Sequence, residues 1–313
     1  MSRIVISGAS GDLGRRVTAL LANADSRHEL TLVTRTPDKL ARRTPHEVTV
    51  RHGDYEDPDS LDSAYEGGDV LFLISGLNLG RRIPEHRNAI AAARRVGIRH
   101  IVYTSVGGVN PGNPALSAKD HYQTELDLRG SGTNYTIMRN SLYSEIVSKI
   151  LVAPAAATGV ITQATGTGFL APVAKNDVAR CAAACLLTPD RHAGAVYEIT
   201  GAELLDFDTI ARIASSVYGV PITYEEVTAD QRLAFFDSVG IPRTYDPNMP
   251  PSPDGHMWAS DELVSAEVAV AEGYQAVLSH HVKLITGREP ESLQSVMERV
   301  KDTRYDELGA AVS

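Results

Sequence analysis

Cysteine is nearly missing from the chain: there are two among 313 residues, Cys181 and Cys185. They stand four apart in the helical stretch 177–187, on one helix face, where disulfide geometry between adjacent turns is poor. That excludes a disulfide-stapled fold and leaves small buried thiols in a reducing compartment as the expectation. No apolar run reaches the about 18 residues that a membrane helix needs, and no basic stretch precedes a signal-type core at the start. A cytoplasmic protein with no membrane partner is expected. Metal-ligand spacing is also lacking: the ten histidines are scattered, no His-Glu-x-x-His occurs, and the His280-His281 pair cannot point one way from a helix, so no metal is expected. No Gly-x-Ser-x-Gly elbow carries a serine nucleophile, and no P-loop ends in Lys-Ser/Thr. Internal repeats and low-complexity tracts are absent. The net charge of −9 is uneven: residues 1–140 carry 18 basic against 16 acidic side chains (+2), and the remainder 12 against 23 (−11). A nucleic-acid backbone would meet a repulsive second half, so no nucleic-acid partner is expected.

What is present is enough apolar composition, 43%, for a substantial core, and one informative glycine turn. Gly8-Ala9-Ser10-Gly11-Asp12-Leu13-Gly14 lies between the apolar run 3–7 and the helical pattern beginning at Arg15. Strand, glycine turn and helix in that order suit a dinucleotide pyrophosphate. Gly8 permits the tight turn, Gly11 lets backbone N–H groups approach phosphate oxygens, and Gly14 lets the helix pack on the sheet with its positive end toward the anion. The spacing is G-x-x-G-x-x-G rather than G-x-G-x-x-G.

Apolar runs then alternate with amphipathic stretches. Strands are expected at 3–7, 30–34, 47–51, 69–75, 100–105 and 134–139, with helices near 12–23, 37–42, 58–66, 82–96 and 115–130. Each intervening helix permits a right-handed crossover, which gives a strand order of 3-2-1-4-5-6 with the nucleotide across the first switch point. Val196–Thr200 reads as a later strand of the same sheet. The fold class is therefore α/β: a Rossmann-like doubly wound parallel sheet over 1–140, followed by a smaller α/β substrate lobe over 141–313. In that lobe, helices are expected at 175–188, 206–219, 227–239, 261–285 and 289–302, with short strands near 159–163 and 222–226. Four prolines in 244–260, Pro247, Pro250, Pro251 and Pro253, rule out regular structure there. The segment is either a solvated connector or a cover over a pocket using Met249, Met257 or Trp258.

Strand two ends Leu32-Val33-Thr34-Arg35-Thr36, with no carboxylate for a ribose 2′-hydroxyl. Arg35 stands where a guanidinium can meet a 2′-phosphate, which favours NADP(H) over NAD(H). Gly8, Ser10, Gly11, Asp12 and Leu13, with Arg35, would hold the cofactor. Asp54 and Tyr55 after strand three would lie near the adenine, and Ser75 and Gly76 after strand four would continue the track. Thr104, Ser105 and Asn140, at the ends of strands five and six, would frame the nicotinamide. Asn140 suits its amide because it offers both a donor and an acceptor. Arg139 would contact phosphate or satisfy strand-end carbonyls.

Together these residues resemble the NmrA-like group of atypical short-chain dehydrogenases, in the branch of type 2 NADPH:quinone oxidoreductases and triphenylmethane reductases. The likeness is carried by Gly8–Gly14, Val50–Tyr55, Leu73–Ser75, Glu85–Asn88, Tyr103–Ser105, His121 with Thr124-Glu125, and Arg139-Asn140 followed by Tyr143. It spans nearly the whole chain and weakens in the proline-rich segment and the tail. The wider superfamily reduces carbonyls with Tyr-x-x-x-Lys, yet none of the twelve tyrosines is followed by Lys at the fourth position. Tyr122 meets Leu126. Tyr135 meets Arg139 within a strand, about 13 Å away. The resemblance implies a Lys at the position of Leu126 in close relatives, and its loss here is a departure that tells against a lysine-assisted step.

Without a dedicated acid, reduction of an unactivated ketone should lose about 10²–10⁴-fold. A quinone, a triarylmethane cation or another electron-poor conjugated small molecule does not share that need. Direct, flavin-free hydride transfer to such an acceptor is the first expectation. A specific carbonyl or imine reductase is the second, with His121 or Tyr143 as acid and Glu125 one turn away orienting His121 and raising its pKa. The third is a non-catalytic NADP(H) redox sensor, resembling NmrA, that signals through a protein partner. A homodimer is left open.

Overall fold

The computed structural model describes residues 2–24, 28–41, 48–76, 80–245 and 259–303. Six parallel strands come from the first 140 residues: β1 (Arg3–Ser7), β2 (Glu29–Thr34), β3 (Thr49–His52), β4 (Val70–Leu73), β5 (His100–Val106) and β6 (Asn134–Asn140). They alternate with α1 (Asp12–Ala22), α2 (Pro37–Ala41), α3 (Pro58–Tyr65), α4 (Arg82–Arg95) and α5 (Leu116–Gly130). The chain then runs through α6 (Ser144–Ile146), a π turn (Val147–Val152), α7 (Ala155–Thr158), β7 (Val160–Gln163), α8 (Lys175–Leu187) and β8 (Val196–Ile199). It ends in α9 (Phe207–Tyr218), β9 (Thr223–Glu226), α10 (Ala229–Ser238), α11 (Ser260–Ala271), α12 (His281–Thr286) and α13 (Leu293–Val300). The main sheet has the order β3-β2-β1-β4-β5-β6-β8, and β7 pairs with β9 in a separate two-stranded sheet. The expected order is found, with the late strand added beside β6 in parallel register from Ile137↔Val196 to Asn140↔Ile199.

Strands buried on both faces read as continuous apolar runs, and their alternating side chains divide the core in two. Ile4, Ile6, Leu32, Phe72, Val102 and Met138 pack against α1 and α8, with Val282 of α12. Val5, Val33, Leu71, Leu73, Tyr103 and Ile137 pack against α3, α4 and Leu128 of α5. Both cysteines lie in α8 as free, buried thiols, and burial pushes Cys185 up to about 12. A third core joins α9, β7, the π turn and α13 around Ile161, Phe207, Ile210 and Met297.

Two expectations need correction. The helix expected over 261–285 is two, because α11 ends in a glycine cap: Gly273 has φ +82°, its N–H reaches Val270 O at 3.0 Å, and Tyr274 N–H reaches Ala269 O at 2.9 Å. That bonding pattern stops a helix whatever the apolar periodicity beyond it. The helix expected over 289–302 spans only Leu293–Val300, started by the Ser292 hydroxyl accepting from Ser295 N–H. The turns between 144 and 158 were not anticipated. The proline-rich cover or connector falls largely outside the described residues. Among the described residues, no helix is long and apolar enough to cross a membrane, and no group of three or more His, Cys, Asp or Glu side chains could hold a metal ion.

Candidate active site

The glycine turn takes the form its spacing requires. Gly8 has φ +77°, a left-handed conformation that favours glycine, and its carbonyl accepts from Gly11 N–H at 3.1 Å. A Cβ on Gly14 would lie 2.6 Å from Gly8 O and 2.7 Å from Ala9 Cα, so the helix presses directly on the turn. Gly11 caps α1 without a side-chain bond, and among the described residues no acceptor meets the N–H groups of Asp12, Leu13 and Gly14. Three unpaired donors at the positive end of an 11-residue helix form an anion cradle. The Asp12 side chain does not face this cradle. It accepts from Arg16 Nε and from Lys175 Nζ, both at 2.9 Å.

Beside the turn, the Thr34 hydroxyl donates to Ser10 Oγ at 3.0 Å, and Arg35 follows as an exposed side chain. Across the sheet edge, Tyr55 reaches over to donate its hydroxyl to Ile74 O at 2.9 Å. The Asp54 carboxylate holds its own turn by accepting from Glu56 N–H at 3.1 Å. Ser75 N–H donates to Thr104 Oγ1 at 2.8 Å, and the Ser75 hydroxyl donates to Gly76 O at 3.0 Å. These bonds make one shelf at the ends of β4 and β5.

Asn140 closes β6. Its Nδ2 lies 3.4 Å from Tyr143 Oη, while its buried Oδ1 has no partner. An amide oxygen left unpaired in the interior is costly and calls for a donor. Tyr143 sits with its ring 5.6 Å from Lys175 Nζ. Burial pushes its hydroxyl up to about 12, so it stays protonated. Nothing in the sequence singles out Lys175 beyond its place as a cation directly after the apolar run 169–174.

Ser105 and Arg139, expected beside Thr104 and Asn140, lie on the opposite face of the sheet. The period-2 alternation of a strand dictates this. On that face Glu125 of α5 is fully buried. It receives Ser105 Oγ at 2.8 Å, Arg139 at 2.8 and 2.7 Å, and Arg129 at 3.3 Å. Arg139 also reaches Glu198 at 3.1 Å. Glu125 is thereby committed to arginines and does not orient His121, which corrects that expectation. His121 instead shares a 2.6 Å hydrogen bond with Tyr103 Oη, and burial drives its pKa well down rather than up. His86, unnoticed as a site residue, accepts from Gly76 N–H at 3.2 Å and meets Thr124 Oγ1 at 2.9 Å. Burial takes it down to about 3. Leu126 is 42% exposed, so the position at which relatives often carry Lys faces solvent.

Comparison with known proteins finds a matching family and similar chains. A family model described as NAD(P)H-binding matches residues 8–189. Quinone oxidoreductase 2 of Escherichia coli K12 is 35% identical over 240 residues, covering 76% of this chain and 82% of that one. The crystal structure of an NADPH-dependent quinone oxidoreductase from Escherichia coli complexed with NADPH superposes with TM-score 0.83 at 31% identity, over 95% of this chain and 99% of that one. Triphenylmethane reductase of Citrobacter sp., complexed with NADP(H), gives TM-score 0.80 at 27% identity, with coverage of 95% and 99%.

Proposed function

The chain belongs to the NAD(P)H-binding family and is a relative of quinone oxidoreductase 2, and on that footing we propose that it is an NADPH-dependent reductase of quinones and similarly electron-poor conjugated small molecules. The residues fit the cofactor: the cradle of Gly8–Gly14 awaits an anion, and the unpaired Asn140 Oδ1 awaits a donor such as a carboxamide N–H. Ser10 and Arg35 would meet the 2′-phosphate, Tyr55 would border the adenine, and Ser75, Thr104 and Asn140 would hold the nicotinamide. The bound cofactor supplies a hydride to the acceptor.

The observation that carries the choice of acceptor is that neither candidate acid at the site, Tyr143 or His121, is poised near neutrality. Tyr143 holds its proton up to about pH 12, and His121 is neutral through the physiological range. Tyr143 can therefore donate a hydrogen bond to an oxyanion as it develops, but it cannot cycle through tyrosinate. Asn140 Nδ2, lying 3.4 Å from Tyr143 Oη, leaves the phenolic proton available for that bond. A quinone receiving hydride becomes a stabilised hydroquinone anion, which solvent protonates. A triarylmethane cation becomes neutral. A ketone would have to form an alkoxide with no matched acid, at a cost of about 10²–10⁴-fold.

The test follows loss of NADPH and NADH absorbance at matched concentration against quinones, cationic triarylmethane dyes, aldehydes and ketones. Quinones and dyes with NADPH should be fastest, and Arg35→Ala should abolish the preference for NADPH. Equal use of both cofactors by the native protein would discard the role of Arg35. Ketones as the best acceptors would discard the proposed substrate class.

A further inference from the structure

Asp12 is an awkward residue for its position. It opens α1, and a carboxylate in the first turn of a helix is drawn to the unpaired N–H groups there, the same groups an incoming phosphate requires. In this structure the carboxylate is pulled aside from two directions. Arg16 Nε grips Oδ1 and Lys175 Nζ grips Oδ2, each at 2.9 Å. Both cations are anchored elsewhere: Arg16 reaches Asn176 Oδ1 at 2.5 Å, and the Lys175 backbone N–H is held by the buried Glu145 carboxylate at 3.0 Å. The Lys175 ammonium also faces the Tyr143 ring. The first two residues of α8 thus clasp the first turn of α1.

We propose that Lys175 is a positioning residue for cofactor binding: by holding Asp12 away from the end of α1, it keeps the three N–H donors of the glycine turn open to the pyrophosphate. Burial favours protonation of Asp12, but the two cations outweigh it and keep the carboxyl below its ordinary range, so the clasp is charged at neutral pH. Released from Lys175, the carboxylate would be held by Arg16 alone, and its freed oxygen would turn toward the N–H groups of the first turn and repel the phosphates. The inference rests on the cofactor reading above.

The test is a double-mutant cycle on the full chain, reading the NADPH dissociation constant by dihydronicotinamide fluorescence, with a thermal melt of each protein. Lys175→Met should weaken NADPH binding about tenfold. Asp12→Asn in the same chain should restore it to within about threefold of wild type, since the competing carboxylate is gone. Lys175→Arg should bind normally. An unchanged constant in Lys175→Met, or a double variant as weak as Lys175→Met, would overturn the inference. If Lys175→Met does not fold, Asp12→Asn alone decides: binding as tight as wild type or tighter is expected, and a loss of more than about fivefold would be contrary. Wild-type protein that binds neither NADPH nor NADH would instead remove the cofactor reading itself.

Discussion

The two faces of the main sheet differ sharply at its carboxyl edge. On the face covered by α3, α4 and α5, Glu125 is met by three partners, and His86, Tyr103, His121 and Thr124 are hydrogen-bonded to one another, with Glu198 Oε2 beside Arg139 the exception that lacks a partner. On the face covered by α1 and α8, among the described residues, Asn140 Oδ1 is unpaired and the N–H groups of the first turn of α1 meet no acceptor, and Arg35 stands exposed. The same strands supply both faces, with Thr104 and Asn140 on one and Ser105 and Arg139 on the other. Polar groups completed by the protein hold the fold together, whereas in the reading proposed above the unpaired Asn140 Oδ1 and the open N–H groups of α1 are where the cofactor would supply the missing partner.

The contrast predicts separate outcomes for substitutions. Glu125→Ala should have the largest effect, destabilising the protein by about 3–5 kcal/mol in urea unfolding, because it removes the buried carboxylate shared by Ser105, Arg129 and Arg139 and leaves Arg139 with Glu198 alone. A loss below about 1 kcal/mol would mean that the network is not structural. Asn140→Ala should leave unfolding nearly unchanged, since its oxygen has no partner to lose, but should lower kcat/KM with NADPH by about 10–100-fold. If it unfolds the protein with activity per folded molecule intact, the two faces are not distinct.

Protonation gives the next effect. The folded-state pKa of His86, about 3, lies below the about 6.5 of an unfolded histidine, so the unfolded chain binds more protons between those values. The stability present above pH 6.5 should therefore fall as the pH drops toward 3, with His86 contributing a slope of up to about 1.4 kcal/mol per unit. Unfolding of His86→Gln across that range should show a shallower acid limb. An unchanged limb would place the titration elsewhere. The smallest expected effect is Tyr143→Phe, about a threefold to tenfold loss of kcat with a quinone and no new inflection in the pH profile. A loss of about 10³-fold with a vanished basic limb would restore a proton-relay role.

Much of the frame could be read from residues alone. Gly8, Gly11 and Gly14 announced the cradle because only glycine meets both the left-handed turn and the 2.6 Å approach at Gly14. The buried runs announced the strand order through the crossover rule. Ser105 and Arg139 adjoin Thr104 and Asn140 in sequence but not in the site, because a period of two sends neighbours on a strand to opposite faces. His121 with Glu125 failed for a different reason: helical spacing brings two side chains within reach, but a buried carboxylate goes to the strongest donors available, here Arg139 and Arg129. Lys175 lies 163 residues from Asp12, and no local pattern reports a contact made only when α8 packs on α1.

The central claim is direct transfer of hydride without a tyrosine-lysine relay, and one labelling experiment addresses it. Flavin-free protein is supplied with NADPH carrying deuterium at the transferable position of C4, and a cationic triarylmethane dye serves as acceptor. The account predicts a colourless product bearing one deuterium on its central carbon, formed one-for-one with NADP⁺. Unlabelled product, or no acceptor-dependent oxidation of NADPH with either dye or quinone, would contradict it.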